Sequence, residues 1–242
     1  MFNLGIKSGI ERKLNFIKLY YSPETKHLRK EVKLKKKWFG NHYGGFFVAT
    51  DFVPENSIVY SFGIGEDVSF DTALIQKYGA KVFGFDPTPK SIRWIQSKNL
   101  PKEFSFFDFG IGIRSEKTNF YFPKNPDFVS GSVVVQNNIN TDEKVEVELK
   151  TLQDTAKFLG HQKVDILKMD IEGSEYEVIE NILQSGIEIG QILVEFHDRF
   201  FEDGREKTLR ALGLMKESGY LIFGVSETFD EVSFIHKSLL NA

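Results

Sequence analysis

The sequence contains no cysteine among its 242 residues. Disulfide bonds, catalysis by a thiolate and zinc sites with thiolate ligands are therefore excluded. The sequence also lacks any run of roughly 20 apolar residues, the length that a membrane-spanning helix needs, and its first residues contain no apolar core of the signal-peptide kind. These absences predict a cytoplasmic protein. The chain is long enough for one large domain, or for one domain with an extension.

Charge is unevenly distributed along this chain, although the net charge is only −3. Residues 1–40 carry 11 Lys and Arg against 3 Asp and Glu, whereas the remaining residues carry 20 against 31. Seven of the basic residues lie between Lys26 and Lys37. Such a cluster can attract an acidic polymer, an anionic membrane or phosphates. We favour the alternative, a solvated arm that folds against the acidic remainder, and expect no nucleic-acid partner.

An amphipathic helical spacing precedes the basic cluster, with apolar residues at Ile6, Ile10, Leu14 and Ile17. We therefore assign residues 1–45 to a basic, partly helical extension and residues 46–242 to the main domain.

Strand and helix patterns alternate from residue 57 onward, which predicts a parallel sheet with helices on both faces. Apolar runs predict five parallel strands, at 57–62, 81–85, 104–107, 164–169 and 191–196. Helical patterns separate or follow these strands, at 72–78, 91–98, 151–160, 175–183 and 205–217.

Two last strands, at 220–223 and 231–236, are separated by too few residues for a parallel crossover and must be antiparallel. The predicted fold class is therefore α/β, with a Rossmann-like, doubly wound, seven-stranded and mostly parallel sheet that ends in an antiparallel hairpin. A strand-rich insert is predicted near residues 117–149. Its short strands are expected at 119–122, 132–135 and 145–149.

Two glycines and two acids mark the ends of the first three strands. Gly63 and Gly65 follow the first strand, and Asp86 ends the second, 21 residues beyond Gly65. Glycines at this point let a ligand approach the backbone closely, and an acid about 20 residues further on can accept hydrogen bonds from ribose hydroxyls. Asp108 ends the third strand and could reach an adenine amino group, although a loop-capping role fits the pattern equally well.

The residues that follow Gly65 decide between cofactor classes. A dinucleotide-binding loop would have a third glycine at position 68, which is Val68 here. Glu66 and Asp67 also place two negative charges where a pyrophosphate would lie. The pattern disfavours NAD and FAD, and it favours an adenosyl ligand with a cationic centre and an ammonium group.

The most informative segment is Lys168-Met-Asp-Ile-Glu-Gly-Ser-Glu175, at the end of a buried strand. Charges at such a position are costly unless a solvated crevice or a ligand is present. If the chain stays extended to Glu172, the side chains of Lys168, Asp170 and Glu172 project from one face. We predict Asp170, Glu172 and His197, which follows the next strand, as candidate general bases.

Structural alternatives remain for these acids. Glu172 and Glu175 would each stabilise the first turn of a helix by roughly 0.3–1 kcal/mol. Asp170, Glu195 and Asp198 could instead bind a divalent cation through oxygen ligands. Nothing in the spacing requires a cation, so the sequence predicts no metal site.

Three segments together resemble class I S-adenosylmethionine-dependent methyltransferases, and most of all the FkbM-type family and the related methyltransferase-like proteins of animals. They are residues 59–67 (VYSFGIGED), 83–88 (FGFDPT) and 164–175 (VDILKMDIEGSE), within a resemblance that covers about residues 40–236. The resemblance implies S-adenosylmethionine as cofactor and methyl transfer to a hydroxyl of a sugar, a glycan or a small natural product.

The resemblance also implies roles for individual residues. Those carried over are Gly63 and Gly65 at the methionine part of the cofactor, Asp86 at the ribose, Asp108 near the adenine, and Asp170 beside the reacting centre. One position departs from the pattern, because methyltransferases of this class often have an acid two residues before the first glycine, where this chain has Ser61. We include Ser61 among the candidate cofactor-binding residues, and Glu66 or Asp67 could substitute for the missing acid.

The sequence therefore predicts an S-adenosylmethionine-dependent O-methyltransferase that acts by in-line transfer on a small-molecule or glycan acceptor. Aromatic residues between Trp38 and Gly45, together with Phe122 and Phe128, are candidates for the acceptor wall. The alternatives are a non-catalytic binding module on the same fold and, less favoured, a nicotinamide-dependent oxidoreductase. The acceptor, the purpose of the basic cluster and any homo-oligomer are left open.

Overall fold

A computed structural model describes residues 9–123 and 139–241. The α-helices of these ranges are, in chain order, α1 (Gly9–Tyr21), α2 (Ser69–Tyr78), α3 (Pro89–Gln96), α4 (Leu152–Leu159), α5 (Glu175–Leu183) and α6 (Gly204–Glu217). The strands are β1 (Lys36–Phe39), β2 (Phe46–Ala49), β3 (Ile58–Phe62), β4 (Lys81–Phe85), β5 (Phe104–Phe107), β6 (Gly110–Ile111), β7 (Glu116–Pro123), β8 (Ile139–Lys150), β9 (Lys163–Met169), β10 (Glu188–Glu195), β11 (Tyr220–Val225) and β12 (Glu231–His236). Within the described ranges, no helix combines the length and the apolar character that crossing a membrane requires.

The central sheet has seven strands in the order β11-β12-β10-β9-β3-β4-β5. In this order, each pair of adjacent strands from β10 to β5 is parallel. Strand β12 is antiparallel to both β10 and β11. The predicted α/β class, with its terminal antiparallel hairpin, is confirmed. From β3 the chain proceeds to one edge through β4 and β5, and then returns to the other side of β3 through β9 and β10. The order of the strands therefore reverses between β3 and β9, which is where open α/β sheets bind ligands.

Apolar side chains cover both faces of this sheet. Leu167 and Val194 belong to one buried cluster, which includes residues of α5 and α6. Ile166 and Leu193 belong to a second cluster on the opposite face, with residues of β2 and α2. Successive residues of a strand point to opposite faces, so a strand covered on both sides must be apolar almost throughout. This burial explains why the parallel strands are continuous apolar runs in the sequence.

Capping side chains set two of the helix boundaries that position the site. The Thr151 hydroxyl accepts from the Asp154 N–H at 3.1 Å and begins α4, and Gly160 ends that helix in the left-handed conformation with φ 75°. Thr88 does the same for α3, because its hydroxyl accepts from the Ser91 N–H.

Strands β6, β7 and β8 form a separate three-stranded sheet in the order β6-β8-β7, and β7 and β8 cover the described part of the region predicted as an insert. The antiparallel pair of β7 and β8 contains the strands predicted at 119–122 and 145–149. The strand predicted at 132–135, together with Phe128, lies outside the described residues.

The N-terminal segment packs on the main domain. Phe16 of α1 stacks on Phe229 with ring centroids 5.4 Å apart, and Lys35 of the basic cluster pairs with Asp51 at 2.9 Å on the surface. Strand β1 pairs antiparallel with β2, so the predicted boundary at residue 45 falls between two paired strands.

Candidate active site

A cavity of about 280 Å³ lies where β3, β4 and β9 reach their carboxyl ends, next to the reversal in strand order. Five of the residues predicted from the sequence line it, namely Gly63, Gly65, Asp86, Asp170 and Glu172. The cavity therefore brings three of the predicted cofactor residues together with both predicted catalytic carboxylates.

The glycine loop after β3 is held against the end of β9. Gly63 and Gly65 have φ angles of 80° and 56°, which glycine adopts at little cost. A Cβ atom on Gly63 would lie 1.7 Å from the carbonyl oxygen of Asp170, so a side chain at this position would displace the backbone. The Lys168 ammonium donates to the Gly63 carbonyl at 2.7 Å, and the Asp170 N–H donates to the Phe62 carbonyl at 3.1 Å.

Asp86 is 5% exposed and holds the loops that surround the cavity. One carboxylate oxygen accepts from the Gly65 N–H at 2.8 Å. The other accepts from the Thr88 N–H at 2.9 Å and from the Thr88 hydroxyl at 2.7 Å. An ionised carboxylate offers about four acceptor positions. Asp86 therefore shapes the glycine loop and keeps roughly one acceptor position for a ligand.

Two predicted cofactor residues lie away from the cavity lining. Asp108 is exposed, and the lining on that side is formed by Gly110 and Ile111. Strand β5 ends at Phe107, so the strand alternation that would have aimed the Asp108 side chain no longer applies to it. Ser61 is fully buried within β3 and is not part of the lining.

Asp71, in the first turn of α2, is a buried carboxyl that the sequence analysis missed. It is 2% exposed. Burial raises its pKa to about 6, against the opposing effects of the Lys168 charge and the Ser61 hydroxyl. An acid in the first turn of a predicted helix looks like an ordinary helix-terminus residue, and only the packing shows that it lies next to the end of β9.

A cluster of acids around His197 adjoins the cavity. His197 is 1% exposed, and its Nε2 atom faces three carboxylates. It lies 3.3 Å from Glu172 Oε2, 3.4 Å from Glu195 Oε1 and 3.8 Å from Asp170 Oδ1. Asp170 and Glu172 line the cavity, whereas His197 does not. The three candidate bases are therefore close together, but only the two carboxylates reach the cavity.

The backbone conformation that brings these side chains together differs from the predicted one. Strand β9 ends at Met169, and Glu172 has φ 53°, so the expectation of an extended chain through Glu172 is wrong. The left-handed residue turns the Glu172 carboxylate toward His197. Lys168 forms an ion pair with Asp170, with Nζ 3.9 Å from Oδ2.

Glu175 orients the His197 ring and is fully buried. Its Oε2 accepts from the Gly173 N–H at 2.9 Å, and its Oε1 accepts from the His197 N–H at 2.8 Å. Oε1 also lies 3.2 Å from His197 Nδ1. Because an ionised carboxylate can only accept, Nδ1 carries the proton of this hydrogen bond. The bond fixes the ring so that Nε2 points at the other carboxylates.

Burial and the neighbouring charges shift the pKa of His197 in opposite directions. Burial lowers the pKa of His197, but Glu175, Glu172 and Asp170 outweigh it and raise the pKa to about 10. Burial and the charge of Asp170 raise the pKa of Glu195 to about 8, against His197 and Arg199. A histidine that keeps its proton at neutral pH is a poor base, so in this arrangement His197 is suited to positioning the carboxylates.

The fold and the cavity together define an α/β protein of the class I methyltransferase type, with a glycine loop and a strand-end acid at the reversal of strand order. The family model described as "Methyltransferase FkbM domain" matches residues 57–222. The chain belongs to the FkbM methyltransferase family, and the resemblance found in the sequence is confirmed.

Individual relatives match over part of their length. The chain is 26% identical over 195 residues to "Probable methyltransferase-like protein 24" of Rattus norvegicus, covering 76% of this chain and 47% of that protein. It is 25% identical over 147 residues to "2-O-methyltransferase NoeI" of Sinorhizobium fredii, covering 55% of this chain and 60% of that protein. The chain thus spans about half the length of the first relative. A similar solved structure is Aeropyrum pernix fibrillarin in complex with S-adenosyl-L-methionine, at 11% identity and a TM-score of 0.43, covering 86% of this chain and 85% of that chain.

Proposed function

We propose that the protein is an S-adenosylmethionine-dependent methyltransferase that methylates a hydroxyl oxygen of a sugar, a glycan or a small natural product. The observation that carries the proposal is the cavity in which the glycine loop and Asp86 face Asp170, in a member of the FkbM family. The name of one relative, a 2-O-methyltransferase, supports a hydroxyl acceptor.

S-adenosylmethionine is the methyl donor in this proposal. The glycine loop lets the methionine part lie against the backbone, and Asp86 accepts from the ribose. Glu66 and Asp67 line the cavity and add negative charge, which suits a sulfonium and an ammonium group. Both side chains are held in place, because Glu66 lies 3.1 Å from the Lys90 ammonium and Asp67 accepts from the Asn41 amide at 2.7 Å.

Asp170 is the general base. The acceptor oxygen forms a bond to the methyl carbon, the carbon–sulfur bond breaks, and its electron pair stays on sulfur as the thioether of S-adenosylhomocysteine. The hydroxyl proton passes to Asp170. Alignment of the oxygen with the methyl–sulfur axis can contribute up to about 7–11 kcal/mol, and a general base adds about 10²–10⁴-fold. Lys168 and His197 lie on either side of the Asp170 carboxylate and restrict its orientation.

The acceptor binds near Tyr43 at the opening of the cavity. Tyr43 lines the cavity and is 77% exposed, so its ring offers an aromatic face to solvent. The turn that carries it is fixed, because the side-chain oxygen of Asn41 accepts from the N–H groups of Tyr43 and Gly44 at 2.7 and 2.8 Å. A small molecule or a glycan with an exposed ring face fits this position. A cytoplasmic location and a homo-oligomer stay predictions.

Calorimetric titration of S-adenosylmethionine and S-adenosylhomocysteine, with NADH as control, tests the cofactor. We expect micromolar binding of both adenosyl ligands and none of NADH. A folded protein that binds neither would contradict the proposal and favour a binding module, and binding of NADH alone would favour an oxidoreductase.

Asp170→Asn tests the base. Transfer of labelled methyl to a panel of sugars and glycans is measured with Asp108→Asn as the matched control, since Asp108 is an exposed acid at a neighbouring strand end. Asp170→Asn should keep its affinity for S-adenosylmethionine and lose about 10²–10⁴-fold in turnover. Normal turnover by Asp170→Asn would show that Asp170 is not the general base.

A further inference from the structure

We propose that Asp170, Glu172 and His197 form a binding site for a divalent cation at the edge of the cavity, with Glu195 beside it. Ligand atoms of Asp170, Glu172 and His197 all lie within 4.8 Å of one another. Glu195 Oε1 lies 3.4 Å from the same Nε2 atom of His197. An ion with bonds of about 2.0–2.2 Å holds neighbouring ligand atoms roughly 3–4 Å apart. Small rotations of Asp170 and Glu172, whose side chains are 24% and 25% exposed, would bring these three groups to that spacing.

The buried histidine is the observation that separates this cluster from an ordinary group of acids. His197 is 1% exposed, and its Nε2 is aimed at the three carboxylates. The separations of 3.3, 3.4 and 3.8 Å all exceed the 2.7–3.2 Å of a usual N–H···O bond. Nε2 is therefore in ion-pair range of all three carboxylates, at separations longer than a usual hydrogen bond. A cation bound between Nε2 and the carboxylate oxygens is compatible with both the direction of the ring and these long separations.

Glu175 gives His197 the orientation that a metal ligand needs. A histidine that binds a metal through one ring nitrogen usually donates its other N–H to a carboxylate or a carbonyl, which fixes the tautomer and makes the ligating nitrogen more basic. The hydrogen bond from Nδ1 to Glu175 Oε1 is of this kind. When a cation displaces the Nε2 proton, the lone pair of Nε2 would be directed at Asp170, Glu172 and Glu195.

The charge of the cluster also favours a cation. Several carboxylates lie around the ring, and basic side chains lie against two of them, Lys168 on Asp170 and Arg199 on Glu195. A neutral His197 would no longer offset the negative charge of these largely buried acids, which is unfavourable. A divalent ion would take over that role. Lys168 lies on the Oδ2 side of Asp170 and leaves Oδ1 facing Nε2.

Such an ion would serve the reaction proposed above, and this part of the inference rests on that function. Asp170 and Glu172 line the cavity, so an open coordination position would face the acceptor. A bound cation orients a hydroxyl oxygen and makes its proton easier to remove. Cation binding itself does not depend on methyl transfer and can be measured without any acceptor.

The test uses the full chain after treatment with a chelator, titrated with MnCl₂ in the absence of S-adenosylmethionine. Calorimetry and the electron paramagnetic resonance signal of free Mn²⁺ measure affinity and stoichiometry, and ZnCl₂ is titrated in parallel. We expect one ion per chain and a coupling of Mn²⁺ to a histidine nitrogen in the pulsed spectrum. Glu172→Gln should weaken binding at least about tenfold, whereas Glu177→Gln, which removes an exposed charge from the first turn of α5, should leave it unchanged.

Failure of this proposal is distinguishable from failure of the proposed function. The metal site is refuted if neither ion binds more tightly than about 1 mM, if Glu172→Gln binds as the unchanged protein does, or if bound Mn²⁺ shows no nitrogen coupling. Those results would leave His197 as a protonated partner of the carboxylates. Binding of S-adenosylmethionine is measured on the same samples, so each of the two sites can be lost while the other is retained.

Discussion

Glu175→Gln tests whether one buried carboxylate joins the loop after β9 to the end of β10. Glu175 is fully buried and accepts hydrogen bonds on both of its oxygens, from Gly173 on one side and from His197 on the other. Glutamine has nearly the same shape, but its amide has one acceptor oxygen and an NH₂ group in place of the second. Whichever way the amide turns, its NH₂ group faces a backbone N–H of Gly173 or of His197.

The expected loss of stability follows from the number of backbone N–H donors that lose their acceptor. A buried donor left without an acceptor costs about 1–3 kcal/mol. Removal of one partner from a buried charge pair costs about 3–5 kcal/mol, and His197 keeps the partly exposed Glu172 and Asp170 as partners, so less than that is lost. We expect a loss of about 3 kcal/mol in the free energy of unfolding. For a domain of this size, that corresponds to a fall in Tm of about 6–12 °C.

Thermal unfolding followed by circular dichroism measures this fall. A chelator is present throughout, so that metal binding makes no contribution. Glu177→Gln is the matched control, because it removes the same charge from the same turn of α5 at an exposed position. The control should stay within about 0.5 kcal/mol of the unchanged protein. If both variants unfold at the same temperature, the hydrogen bonds of Glu175 do not hold the two segments together.

Three further predictions concern the glycine loop and the buried acids. Asp86→Ala should weaken S-adenosylmethionine binding at least about tenfold in calorimetry. Asp108→Ala, a change at an exposed position, should bind S-adenosylmethionine normally. Equal affinities of the two variants would show that Asp86 does not bind the cofactor. Gly63→Ala should have a much lower Tm than Gly65→Ala, because a Cβ at Gly63 would lie 1.7 Å from a carbonyl oxygen, whereas a Cβ at Gly65 would have no neighbour within 4 Å. Gly65→Ala should therefore be destabilised only by the left-handed backbone conformation, which costs about 1–2 kcal/mol. The folded-state pKa of Asp71 is raised from 3.8 to about 6, so its contribution to stability is fully present below pH 3.8 and is lost as the pH rises through about 6. The stability of Asp71→Asn relative to the unchanged protein should therefore increase by about 2–2.5 kcal/mol between pH 4 and pH 7. A difference that does not change with pH in urea unfolding would contradict the assignment.

The fold could be predicted because its strongest signal is local. The strands of the central sheet are buried on both faces, so each is a short apolar run that a glycine or an acid ends. Every predicted strand of that sheet matches an observed one to within three residues at either end. The last two strands could be assigned as antiparallel because the chain between them is too short for a crossover.

The candidate site could be predicted only in part. Parallel strands bring their carboxyl ends to one edge, which is why Asp86 and Asp170 line the same cavity. The direction of a side chain beyond the end of a strand depends on turns that leave no periodic pattern. For this reason Asp108 faces solvent and Glu172 turns toward His197. Glu175 was expected to stabilise a helix terminus, and its burial depends on β10, whose last residue lies 20 positions further along the chain.

The contact between Gly63 and Asp170 has a consequence for how the site could be redesigned. Main-chain atoms at the proposed donor end touch main-chain atoms at the proposed base, so the distance between them is set by the backbone. New side chains at the rim, at Tyr43 for example, would alter which acceptor enters without disturbing that distance. Acceptor preference should therefore change more readily, by substitution or in evolution, than the choice of methyl donor.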